Sequence, residues 1–363
     1  MSWLWVFLGF CLLIVLHEAG HFFAAKATGM RVERFSLFFG PMIASVKRGE
    51  TEYGIAAIPL GGYVKISGMN PEEELPPEVE PRAYYRQPVW KRIVVTAAGP
   101  AVNIALAFAI FFLVFFVYAS QPTQTIERVI KKSPAAGVLR PGDKILAIDG
   151  SAYRNLDQTE RLKHFLDEIQ GHQCAGKQID GCLAATPVSL LIERGGETRN
   201  VLVHPKYDQA EGRMLIGFGY GTEPTSVSAG TAFGQAGDAV WLVTSRTASI
   251  FSRIFESSQR KEISSIVGIS DVAHQSVEKS TEQSLLLLAL VSLSLGLINL
   301  LPILPLDGGH IFWSLVEKVR GKPVSLRVME RATVVGFALV LALMFIGLTN
   351  DIGRIGSGGF NAR

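Results

Sequence analysis

Four predominantly apolar runs, at residues 3–25, 93–119, 285–306 and 332–349, constrain this chain more than any other feature. Each is about 18 residues or longer, enough to cross a bilayer as a helix. A segment in hydrocarbon must satisfy its backbone polar groups internally, so each run is expected to be an α-helix and the chain a polytopic α-helical membrane protein. With 48% hydrophobic and 18% charged residues, much of the apolar content faces lipid, and a disordered or fibrous chain is excluded. The first run lacks a basic n-region and a small-residue cleavage site and carries His17, Glu18 and His21, so it is kept as a permanent helix and not a signal peptide. A net charge of +3 with no long Lys/Arg cluster excludes a nucleic-acid partner. Three cysteines are too few for a disulfide scaffold or a structural zinc knuckle.

The basic residues set the expected orientation. None precedes the first run, whereas 26–92 holds ten Lys/Arg and 307–331 holds five, so both segments are expected on the cytoplasmic side. Both termini and the long stretch 120–284 then lie outside, which suits a multi-pass protein of the cell's plasma membrane.

Between the spans the patterning changes. Alternation at Phe35, Leu37 and Phe39 and again at Tyr53, Ile55 and Ala57, with Lys47-Arg48-Gly49-Glu50 between, predicts β-hairpins over 31–66. So apolar a sheet beside a membrane is expected to be semi-embedded. Residues 70–81 are acidic and Pro-rich and read as a linker with no capacity to form a core. A compact mixed domain is expected from about 122 to 205. It is followed at 238–255 by an amphipathic helix in which Arg246 and Arg253 interrupt Trp241, Phe251, Ile254 and Phe255, suiting the outer interface.

The strongest chemical signal is His17-Glu18-Ala19-Gly20-His21. Two histidines at i and i+4 share one helix face and can hold a tetrahedral zinc ion, while the Glu between them can take a proton from water activated there. Ionisable groups inside a membrane helix are costly and default to function; the structural alternative is polar residues snorkelling at a helix end. Catalytic zinc keeps three protein ligands, so a third must come from elsewhere. Asp307, at the cytoplasmic end of the third run in Leu306-Asp307-Gly308-Gly309-His310, lies at the depth of His17 and His21. Pro302 and Pro305 interrupt the run just before it. Its alternative reading is an Asp-Gly turn that merely ends a helix, and His310 is a weaker ligand candidate.

These motifs resemble the site-2 protease family of intramembrane zinc metalloproteases, in its bacterial branch containing the regulator of sigma-E protease. The likeness extends to Gly61-Gly62-Tyr63-Val64-Lys65, to Ala98-Gly99-Pro100 with Asn103, to Val267-Gly268-Ile269-Ser270, and to Asn299 eight residues before Asp307. It departs at Pro305, which falls one residue later than the family's second proline. The resemblance implies Zn2+ as cofactor, His17, His21 and Asp307 as its ligands, and Glu18 as general base. It also implies Asn299, Gly61, Gly62 and Tyr63 as substrate-binding residues, and single-span membrane proteins, such as anti-sigma factors or signal-peptide remnants, as substrates. The sheet of 31–66 either receives the unwound substrate as an added strand or plugs the cytoplasmic mouth, and both remain open.

The string Ser133-Pro134-Ala135-Ala136-Gly137 with Arg140-Pro141-Gly142-Asp143 resembles a bacterial protease PDZ domain, which implies binding of peptide ends or a size filter, against the alternative of a spacer. The expected organisation is therefore helix 1 over 1–29, a β-loop and linker over 30–92, helix 2 over 93–120 and the PDZ-like domain over 121–208. A linker with the interfacial helix follows over 209–284, then helix 3 with its cytoplasmic segment over 285–331 and helix 4 with a tail over 332–363. Cys174 and Cys182 could pair in an oxidising compartment or stay free; His172 beside them is a poor metal candidate, and Cys11 is a buried apolar side chain. Two rivals are a membrane-anchored zincin that clears misfolded cytoplasmic protein and a PDZ-bearing scaffold with a structural zinc. The first lacks a downstream Glu ligand, and the second has no use for Glu18.

Overall fold

The structure is a computed structural model, and it describes residues 2–70, 72–209, 211–252 and 266–356. Among these, four helices are long and apolar enough to cross a membrane. They are α1 (Ser2–Ala27), α2 (Val89–Val117), α6 (Thr281–Asn299) and α8 (Leu326–Gly356). Two contain the runs 3–25 and 332–349, but the helices in the other two runs stop early, at Val117 and at Asn299, so residues 300–306, expected as helix, are turn. The chain divides into two compact units, Met1–Phe116 with Ser228–Arg363, and Val117–Val227.

In the first unit α1 stops where Gly29 takes a left-handed conformation (φ 84°) and the Met30 N–H returns to the Ala25 carbonyl. Two long strands follow, β1 (Val32–Arg48) and β2 (Thr51–Ile66). They form one bulged hairpin. Residues Arg34–Leu37 of β1 lie between two parts of β2, with Gly62–Lys65 on one side and Glu52–Ile55 on the other, while among the described residues Gly62–Ile66 is paired along one edge alone. Phe39, Ile43, Ile55 and Ile58 stay exposed at the far end of the hairpin, an apolar surface of the kind a semi-embedded sheet presents.

The acidic segment after β2 is more than a tether, contrary to the expectation of a linker outside any core. Val79, just before the short 3-10 turn Glu80–Arg82, is 7% exposed, and Tyr84, in the second turn Tyr84–Arg86, is also 7% exposed and packs with Phe22, Ala25 and Val95 of the helices. Lys65 holds Glu33 at 2.6 Å and Glu73 at 2.8 Å, and these two carboxylates push the Lys65 pKa up to about 12. Glu50 ties Lys26 and Arg82 together, and Arg82, with Lys26 behind it, draws the Glu50 carboxyl down to about 2.

The helices pack through small residues. A Cβ on Gly20 of α1 would lie 2.5 Å from the Ala98 carbonyl oxygen of α2, and one on Gly296 of α6 would lie 3.0 Å from the Pro100 oxygen of α2. Glycine at both positions lets three backbones approach, as helix association in lipid requires. Helix α4 (Ala229–Ser252) sets Ala236 among Ala107, Phe111, Ala289 and Leu293 of α2 and α6, a contact with two spans that the interfacial reading did not include. The part of that expected helix at 253–255 lies outside the described residues. Helix α5 (Ile266–Lys279) precedes α6, and the expected Gly268 of its first turn donates its N–H to buried Asp351 at 3.0 Å.

The second unit is a five-stranded antiparallel sheet in the order β6-β5-β4-β3-β9, from β3 (Ser120–Val129), β4 (Lys144–Ile148), β5 (Val188–Arg194), β6 (Glu197–Val203) and β9 (Phe218–Pro224). A two-stranded hairpin, β7 (Lys206–Asp208) with β8 (Arg213–Leu215), stands beside it. Helix α3 (Gln158–Gly171) is capped by Asp157, which accepts from the Glu160 N–H, and buries Leu162, Phe165 and Ile169 on Ile126, Ile145 and Ile192. Residues 209–224, expected in a linker, supply β8 and β9, and β9 completes the sheet by pairing with β3. Cys174 and Cys182 are joined as a disulfide.

Candidate active site

His17 and His21 lie on one face of α1, as their spacing demands. Asp307 comes from a different place. Helix α6 ends at Asn299, the chain turns through Leu300–Leu306, and α7 (Asp307–Arg320) begins with Asp307 as its first residue. Asp307 thus starts a helix and does not end one. Gly308 and Gly309 are required there, since Cβ atoms would lie 2.2 Å from the Leu300 oxygen and 2.5 Å from the Leu304 nitrogen. The double glycine folds the start of α7 back onto the preceding turn and brings the carboxylate to α1.

The three groups meet. The Nε2 atoms of His17 and His21 are 3.3 Å apart, and Oδ2 of Asp307 lies 3.3 Å from the first and 3.4 Å from the second. Donor atoms held about 2.0–2.2 Å from a tetrahedral ion stand about 3.3–3.6 Å from one another, so this triangle has the dimensions of one face of such a tetrahedron. Among the described residues it is the one group of His, Cys, Asp or Glu side chains gathered in this way, and His310 is not part of it. The donors, two imidazoles and one carboxylate, suit zinc.

The orientation of His21 is fixed from behind. Its Nδ1–H donates to the Val95 carbonyl at 2.8 Å, which leaves the Nε2 lone pair facing His17 and Asp307. A Cβ on Gly99 would lie 2.2 Å from that Nε2, so only glycine lets α2 pass the ring. Nδ1 of His17 is buried and meets no partner among the described residues.

Glu18 projects into a cavity of about 530 Å³ that it shares with His17, His21 and Asp307. Gly61, Gly62, Tyr63 and Asn299 line the same cavity, so all eight residues singled out in the sequence are gathered there. Sequence reasoning passed over Val95, whose carbonyl orients His21, and Met69, Tyr84 and Thr96, which complete the wall. A backbone acceptor has no side-chain signature, and Tyr84 follows a segment read as a linker.

The sequence profile of Peptidase family M50 matches residues 5–343. A candidate zinc metalloprotease of Rhizobium meliloti is 30% identical over 369 aligned positions, covering 94% of this chain and 93% of that one. A candidate zinc metalloprotease of Nostoc is 30% identical over 343 positions, with 91% and 90% covered. Zinc metalloprotease Rip1 of Mycobacterium tuberculosis is 29% identical over 382 positions, with 93% and 94% covered. The chain belongs to Peptidase family M50, the site-2 proteases that its motifs resemble. It is a zinc metalloprotease, and its described residues include four helices of membrane-spanning length.

Proposed function

We propose that this enzyme cuts single-span membrane proteins within or near the bilayer, with His17, His21 and Asp307 holding zinc and Glu18 moving the proton. The observation that carries the reading is the triangle of donor atoms beside Glu18 in a cavity walled by one edge of β2. Zinc held by these groups would supply Lewis acidity, the property that brings the pKa of water toward neutrality and polarises a carbonyl. Glu18 takes the proton from the attacking water and passes it to the leaving amine.

A helical substrate must first unwind, because its carbonyls are tied in i to i−4 bonds. The stretch Gly62–Ile66 supports addition of the unwound segment as a further strand, since among the described residues it has a partner on one edge alone and Gly62 passes directly beside Glu18. Asn299, which lines the same cavity, binds the substrate backbone in this reading.

The unit Val117–Val227 acts in this reading as an extracytoplasmic PDZ-like filter of an inner-membrane enzyme, with the termini on the same outer side. Its antiparallel sheet, with α3 alongside and β9 at one border, supports the reading, since a strand at a sheet border can take a peptide end as an added strand. Anti-sigma factors and signal-peptide remnants, which lose their outer portions before the second cut, fit such a filter. The test is cleavage of single-span proteins by enzyme reconstituted in lipid vesicles, with the cut located by mass spectrometry. The proposal expects chelator-sensitive cuts inside or at the border of the apolar span; cuts confined to soluble, unfolded protein would contradict it.

A further inference from the structure

Two charged residues that no motif contains lie on the elements that build the metal site. Arg92 of α2 is 9% exposed and meets Glu317 of α7 in a bidentate pair, Nη1 to Oε2 at 3.0 Å and Nη2 to Oε1 at 2.6 Å. The guanidinium carbon also stands 5.9 Å from the Tyr84 ring centre. The Tyr84 hydroxyl is 3.2 Å from Thr96 Oγ1, which itself donates to the Arg92 carbonyl. A short length of α2 therefore carries Arg92, the Thr96 contact and, between them, the Val95 carbonyl that orients His21.

We infer that Arg92 and Glu317 are positioning residues for the metal site: their ion pair fixes the direction of α7 and so the place of Asp307 relative to His17 and His21. This rests on the reading of those three residues as ligands. Asp307 is the first residue of α7 and follows a non-helical turn, so the carboxylate is only as well placed as the helix behind it. Glu317 lies ten residues further on, about 15 Å along the axis. At the near end the helix is held by the contact of Gly308 and Gly309 with the turn, and at the far end by Arg92. Two fixed points define a rod. A planar guanidinium bonding both carboxylate oxygens sets angle as well as distance, which a lysine would not do. Because α2 also receives His21, one helix references both sides of the ligand triangle, and metal–ligand distances in a well-formed site stay within about 0.2 Å of their standard values.

The test uses full-length protein in detergent, stripped of metal and titrated with Co2+, whose visible absorption reports coordination geometry. Wild type binding one ion in a four-coordinate spectrum, with Asp307→Ala losing it, establishes the ligand reading separately. Against that baseline Glu317→Gln should bind Co2+ at least about tenfold more weakly, with a changed spectrum, in line with losses when outer partners of metal ligands are removed. Should Glu317→Gln fail to fold, Arg92→Lys keeps the charge but loses the fork, and is expected to alter the spectrum with a several-fold loss of affinity. The reversed pair Arg92→Glu with Glu317→Arg should recover part of the affinity lost by Glu317→Gln. As a comparison, Asp143→Asn breaks the bidentate Asp143–Arg194 pair of the second unit and should leave the spectrum unchanged. Wild-type affinity and spectrum in the folded Glu317→Gln or Arg92→Lys protein would overturn the inference, as would an equal change in Asp143→Asn.

Discussion

A methyl group on Gly62 would lie 2.3 Å from Cγ of Glu18, so β2 runs against the proposed base with no side chain between them. The backbone that would pair with substrate and the carboxylate that would move its proton are thereby held in contact. Gly62→Ala must displace either the strand or the Glu18 side chain. The expected result is a loss of cleavage on the order of a hundredfold, as a misplacement of about 1 Å can cost, with zinc content unchanged because His17, His21 and Asp307 are not touched. Metal analysis beside a cleavage assay checks both halves.

Much of this site was legible because its chemistry is expensive where it stands. His17, Glu18 and His21 in an apolar helix demand a reason, and Asp307 could be matched to them by comparing span ends. What fixes these groups was not legible. Val95 contributes a carbonyl, which every residue has, and Gly99 matters only because the His21 ring passes over it. Arg92 and Glu317 are 225 positions apart, and each alone looks like an ordinary charge near a membrane border. The hairpin was visible in its alternation, but the doubling of β2 along both sides of Arg34–Leu37 arises from bulges that the pattern does not encode. Three-residue strands such as β8 are too short to show a period, which is why residues 209–224 read as a linker.

The second unit should weaken in acid through Asp143. This residue is 1% exposed and accepts from Arg194 Nε and Nη2 at 2.7 Å each and from the Arg140 N–H at 2.7 Å. The Arg194 guanidinium, helped by that N–H, holds its carboxyl below the usual range. A depressed folded-state pKa contributes stability that is complete above the unfolded value of about 3.9 and is lost as pH falls through the folded value. Asp143→Asn should cost roughly 3 kcal/mol at neutral pH, and the difference from wild type should shrink below about pH 4. Hydrogen exchange of the β4 and β5 amides, followed against pH, measures this.

Orientation makes an independent demand. In a Cys11→Ser background, with Cys174 and Cys182 paired, a cysteine replacing Ser2 should react with a membrane-impermeant reagent in intact cells. One replacing exposed Glu78 should react only after the membrane is opened. Labelling of the Glu78 position from outside would reverse the assignment of sides.

The central claim is that Glu18 transfers the proton at a zinc site made by its neighbours, and the Glu18→Gln protein tests it most directly. Zinc content and cleavage of a single-span substrate are measured on one reconstituted preparation beside wild type. The account predicts about one zinc per chain in both proteins, with cleavage by the variant reduced by at least about 10²-fold, the lower end of what a positioned acid–base group contributes. Near-normal cleavage by a zinc-loaded Glu18→Gln enzyme would contradict it.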